Sequence, residues 1–311
     1  MTTAHIYHHN DLDGRCAAAI GLRYCRAHGH SVRPYEMDYK DDADFSAISE
    51  DDYALILDFS FKPDVMADLQ ARADIVIWCD HHQTAKDYGY DVTGGYRDFT
   101  DKGLAGCECT WRWAYPNDVL PEAVRLIGDY DSWRLALAPK CFQFYEGLKL
   151  EDSDPAAAIW DDLVNPAVCQ LNGDGPFIGE IIERGKTAIQ YRDTYCAEMR
   201  KAFGFETRIG GCRAYALNAY RFGSLAFGPL MDDYDVCAAF AYDGKRWTVS
   251  LYSTSVDVSV IAKKMGGGGH KGAAGFTRDS FPFVPSAGPI GDFADVMIDK
   301  TLVGELKRIM P

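Results

Sequence analysis

Residues 4–27 read Ala4-His5-Ile6-Tyr7-His8-His9-Asn10-Asp11-Leu12-Asp13-Gly14, then Arg15-Cys16-Ala17-Ala18-Ala19-Ile20 and on to Ala27. This stretch decides the fold. Ala4–His8 has the apolar character of a short strand, and Gly14–Ala27 is an alanine-rich helix that closes at Gly29. Between them lies a turn holding one imidazole and two carboxylates. Further on, Tyr53–Leu57 (YALIL) and Ile75–Cys79 (IVIWC) are apolar runs of strand length, separated by a helical segment at Pro63–Ala71. Strand, helix and strand at this spacing predict a parallel α/β sheet with helices on its faces. Ligands of such sheets gather at the carboxyl ends of the strands, where this sequence places its charged clusters.

The clusters are His9-Asn10-Asp11-Leu12-Asp13-Gly14 after the first strand, Asp58 after YALIL, and Asp80-His81-His82 after IVIWC. A fourth, Ile127-Gly128-Asp129-Tyr130-Asp131, reads as a carboxylate-rich turn after an apolar segment. Each has a plain structural account. Asp13 could cap the helix with Asp11 solvated, Asp58 could cap a turn, and His82 could be core-packed. Their recurrence at successive strand ends points instead to a shared site, and histidine is the commonest metal-ligand side chain.

The pattern changes in the second half. Residues 150–175 form a connection rich in Asp, Pro, Asn and Gly, and a long helix spans about Ile178–Phe203. Strands follow at Arg213–Asn218, Val236–Tyr242 and Trp247–Tyr252, and a helix at Val258–Met265 runs into Gly266-Gly267-Gly268-Gly269-His270. The domain reading is residues 1–175, a helical linker over 176–205, and a smaller α/β domain over 206–311. Consecutive glycines let backbone N–H groups approach a ligand closely, so Gly267, Gly268 and Gly269 with His270 suit an anion-binding nest. Lys271 beside them reads equally as a solvated surface lysine, and Phe281–Gly291 is a Pro/Gly-rich loop.

Bulk properties narrow the classes. The chain has 311 residues, 47% hydrophobic and 25% charged, with 46 acidic against 32 basic side chains and a net charge of −14. That balance argues against tracking along long duplex nucleic acid, which needs an extended basic surface. Residues 241–311 are +2 and the first 240 are −16. An acidic body can handle phosphates when divalent ions neutralise its carboxylates. No apolar run approaches the roughly 20 residues needed to span a bilayer, and the first residues lack the pattern of a signal peptide. Ten scattered cysteines without a C-x-x-C pair suit buried thiols in a reducing, cytoplasmic setting. Cys107-x-Cys109 is a poor zinc spacing.

HNDLDG, the isolated Asp58, DHH at 80–82, IGDYD at 127–131 and GGGGHKGAAG at 266–275 resemble the DHH–DHHA1 phosphoesterase superfamily, in family order across both halves. Within it the sequence is most similar to the nano-RNase B branch, described as oligoribonucleases and cyclic-nucleotide phosphodiesterases. The resemblance implies two divalent ions, manganese or alternatively magnesium. His9, Asp11 and Asp58 would hold one; Asp13, Asp58, His81 and Asp129 the other, with Asp131 the alternative to Asp129. Asp80 would orient His81 or a neighbour, and His82 would face the substrate. This oxygen-rich donor set suits those ions better than zinc. Several relatives carry arginine where this chain has Tyr252, whose ring offers stacking or a single hydrogen bond in place of a bidentate phosphate clamp.

The expected activity is hydrolysis of short RNA oligonucleotides to nucleoside monophosphates. A phosphodiesterase or phosphatase for a small nucleotide (cyclic mono- or dinucleotide, or pAp) is the enzymatic alternative. A nucleotide-binding protein with a decayed site is the non-enzymatic one, and the reading allows self-association.

Overall fold

The structure is a computed structural model and describes residues 2–165 and 176–283. Contacts divide it into two compact units, Met1–Ile189 and Gln190–Pro311. The boundary falls inside one helix, Pro176–Phe203. Of the connection expected over 150–175, Ile159–Leu163 forms a short helix and 166–175 lie outside the described residues, as do 284–291 of the loop expected over Phe281–Gly291.

The first unit carries a four-stranded, fully parallel sheet of β1 (Thr3–His9), β2 (Ser31–Met37), β3 (Tyr53–Leu57) and β4 (Ile75–Cys79), in the order β2-β1-β3-β4. Successive side chains of a strand point to opposite faces, and both faces here are covered. Ile6, Leu55, Leu57 and Ile77 pack with α1 (Leu12–Ala27), α3 (Gly106–Ala114), α4 (Glu122–Asp131), α5 (Lys140–Leu148) and α6 (Ile159–Leu163). Tyr7, Ala54, Ile56, Val76 and Trp78 pack with Met66 and Leu69 of α2 (Pro63–Gln70) and with Phe45, Phe59 and Phe61. Burial on both faces makes β3 and β4 continuous apolar runs, so their observed limits match the sequence reading. The edge strand β2 was missed. Its sequence SVRPYEM is largely exposed and contains Pro34, which an edge strand tolerates.

The order β2-β1-β3-β4 means that the chain winds one way from β1 and the other way from β3. The carboxyl ends of β1 and β3 therefore flank a topological switch point, the usual crevice for a ligand.

The second unit holds a mixed six-stranded sheet of β5 (Gly204–Ile209), β6 (Cys212–Asn218), β7 (Val236–Tyr242), β8 (Trp247–Tyr252), β9 (Gly268–Gly269) and β10 (Ala273–Arg278), in the order β5-β6-β7-β8-β10-β9. The pair β6–β7 is parallel and the other pairs are antiparallel. The helix α7 (Pro176–Phe203) leads into this sheet, and α8 (Val258–Lys264) packs on it through Val258, Ile261 and Ala262. No helix among the described residues is long and apolar enough to cross a membrane.

The glycine run has a local cause. Gly266, at φ +80°, ends α8: its N–H donates to the Lys263 carbonyl (3.1 Å), and the Gly267 N–H to that of Ala262 (2.8 Å). This crossed pair is a Schellman stop. A Cβ at Gly267 would lie 2.0 Å from the Gly275 carbonyl oxygen, so that position requires glycine. Gly268 and Gly269 then pair with β10 as a short strand.

At the amino ends of β1 and β3, Asp52 accepts from the Thr3 N–H (2.8 Å) and the Ser49 N–H (3.0 Å) and faces the buried His5 at 3.4 Å. Removing it orphans two amides and takes the partner of His5 Nε2 away. Asp52→Ala should cost about 3 kcal/mol in chemical denaturation.

Candidate metal centre

Each carboxyl end of β1, β3 and β4 delivers donor atoms to one place. Asp11 caps α1, accepting from the Gly14 N–H at 2.9 Å, and its other oxygen lies 2.8 Å from His9 Nδ1. The cap therefore belongs to Asp11 and not to Asp13, the residue that the capping account named. Asp13 is fully buried and accepts from the N–H groups of Gly106 (2.7 Å) and Cys107 (2.9 Å), capping α3 across 93 residues of sequence. These amides carry the partial positive charge of a helix amino terminus, which offsets a buried carboxylate.

Asp58 is the centre of the arrangement. It sits at φ +54°, a left-handed conformation that aspartate tolerates better than most residues. Its N–H donates to the Cys79 carbonyl at 2.8 Å, tying the end of β3 to that of β4. Its oxygens lie 3.2 Å from His81 Nε2 and 3.9 Å from His9 Nδ1. Both are buried without a hydrogen bond, as is His81 Nε2. Asp80, also buried, accepts from the N–H groups of His81 and His82 and lies 2.8 Å from His82 Nδ1, so it orients His82.

The fourth cluster needs a correction. Residues 127–131 are the last turns of helix α4, not a loop. Two residues along a helix rotate by about 200°, so Asp129 and Asp131 cannot face the same way. Asp129 turns inward, accepting from the Ala136 N–H (3.1 Å) and the Leu137 N–H (2.9 Å), with Arg134 at 3.7 Å. Asp131 turns to the cluster, 3.2 Å from His81 Nε2. Asp129, the expected ligand, organises a turn, and Asp131, its alternative, joins the donors.

Three sets of donor atoms, each within 4.8 Å of one another, result: His9–Asp11–Asp58, Asp13–His81–Asp131 and Asp58–His81–His82. Asp58 and His81 each belong to two sets. Burial, then the charges of Asp13, Asp11, Asp131 and Asp80, push the Asp58 carboxyl well above its usual range. Burial, with Asp13, Asp11 and Glu108, does the same to Asp131. Burial pulls His81 down. Burial also opposes charging of His82, but the Asp80 hydrogen bond and the charges of Asp80, Asp13 and Asp11 outweigh it and raise the imidazole. For Asp11, the cost of burial is overcome by His9 and the Gly14 N–H, and its carboxyl is lowered.

Two supporting residues escaped the sequence reading. A Cβ on Gly106 would fall 2.4 Å from the Asp58 Cβ, so glycine there makes room for the central carboxylate. Glu108 reaches back to the Ala105 N–H (2.9 Å) and binds Arg134 (2.8 Å), bracing the start of α3 against the turn after α4. Their only signal is a glycine and a glutamate at the start of an apolar helix. Cys107 and Cys109 direct their thiols to the carbonyls of Val124 and Asp80 and fill the core.

In the second unit the N–H groups of Gly266 and Gly267 are spent in closing α8, so Gly267 offers no free donor to the expected nest. Gly268 is partly exposed, and Gly269, His270 and Lys271 are exposed around the tight turn where His270 and Ala273 exchange backbone hydrogen bonds. Tyr252 pairs with Ala273 and is half-buried, its ring 6.1 Å from that of Phe227.

No protein-family model matches the chain. Uncharacterized protein R106 of Acanthamoeba polyphaga mimivirus is 24% identical over 236 residues, which cover 71% of this chain and 52% of that protein. The chain thus matches about half the length of that curated relative. Among solved structures, a DHH domain from a member of a ribosomal-protein family superposes with a TM-score of 0.55 at 13% identity, covering 89% of this chain and 82% of that one. PggH of Vibrio cholerae, described as a pGpG-specific phosphodiesterase, superposes with a TM-score of 0.51 at 15% identity, covering 90% and 94%. These likenesses show that the chain has the DHH fold, and they leave its chemistry to the site.

Because Asp129 braces a turn and Asp131 is crowded by like charges, only the first substitution should cost stability. In chelator, Asp129→Ala should lower stability by about 2–3 kcal/mol, whereas Asp131→Asn should leave the melting temperature unchanged or raise it. Thermal and chemical unfolding measure both.

Proposed function

We propose that this chain is a divalent-metal-dependent phosphodiesterase that cuts short oligoribonucleotides to nucleoside monophosphates. The observation that carries the reading is Asp58: a buried carboxylate without a hydrogen bond, held at positive φ between His9 and His81, with further carboxylates on both sides. Leaving a buried carboxylate unpaired costs several kcal/mol unless a cation offsets it. The donor set fits such cations. His9, Asp11 and Asp58 would hold one ion, and Asp13, Asp58, His81 and Asp131 a second, with Asp58 common to both. The mixture of carboxylate oxygens with a few imidazoles matches manganese or magnesium better than zinc. When bound, such ions polarise a phosphate ester and lower the pKa of an attacking water.

The protein's own groups do the rest. Asp13 is fixed by two amides of α3, and Asp11 by the first turn of α1, so neither has to reorganise when substrate arrives. The Asp80 contact holds the His82 ring and stabilises its charged form, which fits it to protonate the leaving oxygen. Thiol attack is disfavoured. Cys79 is buried beside the site and its thiol is pushed up to about 12 by that burial, so it stays protonated. Water is therefore the nucleophile of this reading, without a covalent intermediate.

A short substrate follows from charge. The first 240 residues sum to −16, which opposes a long polyanion. The name of the similar Vibrio protein, a pGpG-specific phosphodiesterase, supports a small nucleotide as the second reading. The resemblance to the nano-RNase B branch favours RNA oligomers, and within the second unit taken by itself Gly268, Gly269 and His270 are the candidates for binding a phosphate.

Incubation with manganese and RNAs of two to five nucleotides, with products identified by mass spectrometry, tests this. Nucleoside monophosphates should accumulate, and more slowly or not at all from cyclic-di-AMP and pAp. Asp58→Ala should abolish turnover and manganese uptake, and His82→Ala should lower kcat by about 10²-fold with metal content kept. Gly106→Ala should lose manganese by displacing Asp58. Nucleotide binding without any turnover would favour the non-enzymatic reading.

A further inference from the structure

The end of β2 also reaches the centre, although none of its residues is a candidate ligand. Tyr39, two residues past that strand, lies with its ring centroid 5.8 Å from His82 at 76°, and 5.6 Å from His9 at 47°. It stacks on Phe59, the residue after Asp58, at 4.7 Å and 23°. Phe59 is buried in the core while Tyr39 remains 51% exposed. One aromatic ring thus forms a floor anchored in the core, and a second ring on it keeps much of its surface in water at the rim of the site.

The loop that carries Tyr39 is fixed. The Asp38 N–H donates to Asp41 Oδ2 (2.8 Å), the Asp41 N–H donates to the Asp38 carbonyl (2.9 Å), and Lys40 pairs with Asp38 at 3.0 Å. Asn10, between His9 and Asp11, donates to Asp38 at 3.5 Å, linking this loop to the ligand loop after β1. A large exposed ring that is pinned, supported from beneath and set beside the chemistry is a preorganised stacking surface. An aromatic face also suits an acidic site, because it attracts a base without adding charge.

We infer that Tyr39, supported by Phe59, is the platform on which a nucleobase of the substrate stacks, making it a specificity-determining residue that selects nucleotides over other phosphodiesters. Its contacts with His82 and His9 put this stacking surface beside the donor cluster. The inference deepens the phosphodiesterase reading and rests on it for the identity of the reacting bond.

The decisive comparison uses the full chain with manganese, an RNA dinucleotide, and the same dinucleotide with the base removed from one end. Tyr39→Ala should raise KM for the intact dinucleotide roughly 10- to 100-fold with kcat within about twofold, and Tyr39→Phe should restore KM. On whichever abasic dinucleotide, 5′ or 3′, lacks the stacked base, wild type and Tyr39→Ala should have the same KM, because the partner ring is gone. An unchanged KM on the intact dinucleotide, an equal penalty on both abasic forms, or loss of manganese from Tyr39→Ala would overturn the assignment. Calorimetric titration keeps this separate from the activity reading. AMP should bind wild type at least 10-fold more tightly than Tyr39→Ala, while ribose 5-phosphate should bind both alike. If the dinucleotide is not hydrolysed, the phosphodiesterase reading fails and the AMP titration still decides Tyr39. AMP binding that is absent, or equal in the two proteins, refutes the platform.

Discussion

The carboxylates of Asp11, Asp13, Asp58, Asp80 and Asp131 share one rim of a parallel sheet with His9, His81 and His82, and the fold has to hold them there against mutual repulsion. Three are compensated by backbone amides: Asp11 by the first turn of α1, Asp13 by the start of α3, and Asp80 by the two histidines that follow it. Asp58 has no such partner. Its position is enforced sterically and by the chain, through the amide bond to Cys79, the left-handed φ and the glycine at 106. Strain and an unpartnered buried carboxyl are what a protein tolerates where a ligand will offset them. The rest of the centre is arranged around that unpaired group.

The parallel topology makes this convergence inexpensive. Neighbouring parallel strands all end on the same side, so each βα junction adds a donor without any strand leaving the sheet. The hydrophobic faces are untouched: Leu55 and Leu57 face one layer and Ala54 and Ile56 the other, whatever residue 58 is. The candidate donors sit at strand ends and on the adjoining turns of α1 and α4, and the core supplies the rigidity that keeps them in register.

This division also explains what was legible in the sequence. Strands β1, β3 and β4 announce themselves because burial on two faces demands unbroken apolar runs, and their terminal charges stand out against that background. The edge strand β2 has one exposed side and a proline, so it carries no such signal, and Tyr39 beyond it went unnoticed. Asp129 and Asp131 could not be ranked while the segment read as a turn; the helical rotation between them is what separates a bracing residue from a candidate ligand. Gly106 shows a deeper limit. The reason for that glycine is a contact with Asp58, 48 residues away in sequence, and no local pattern encodes it. The glycine run at 266–269 shows the converse: a motif that looks like a ligand loop is spent in part on ending a helix and pairing a strand.

Charge then bears on how a substrate could be held at all. At physiological ionic strength electrostatic forces between exposed charges decay over about 8 Å, so on the proposed reading a phosphate at the centre would respond to ions bound there, while phosphates further along a strand would meet the acidic body. Each added nucleotide would bring one more negative charge to a body whose first 240 residues sum to −16. Beyond the phosphate at the centre, affinity would then draw on contacts that do not depend on charge, and near this centre the exposed ring of Tyr39 on its Phe59 support provides one. On this reading, a preference for short substrates needs no wall to exclude long ones. It would follow from the net repulsion of an acidic body for additional phosphates, combined with an aromatic platform large enough for a single base.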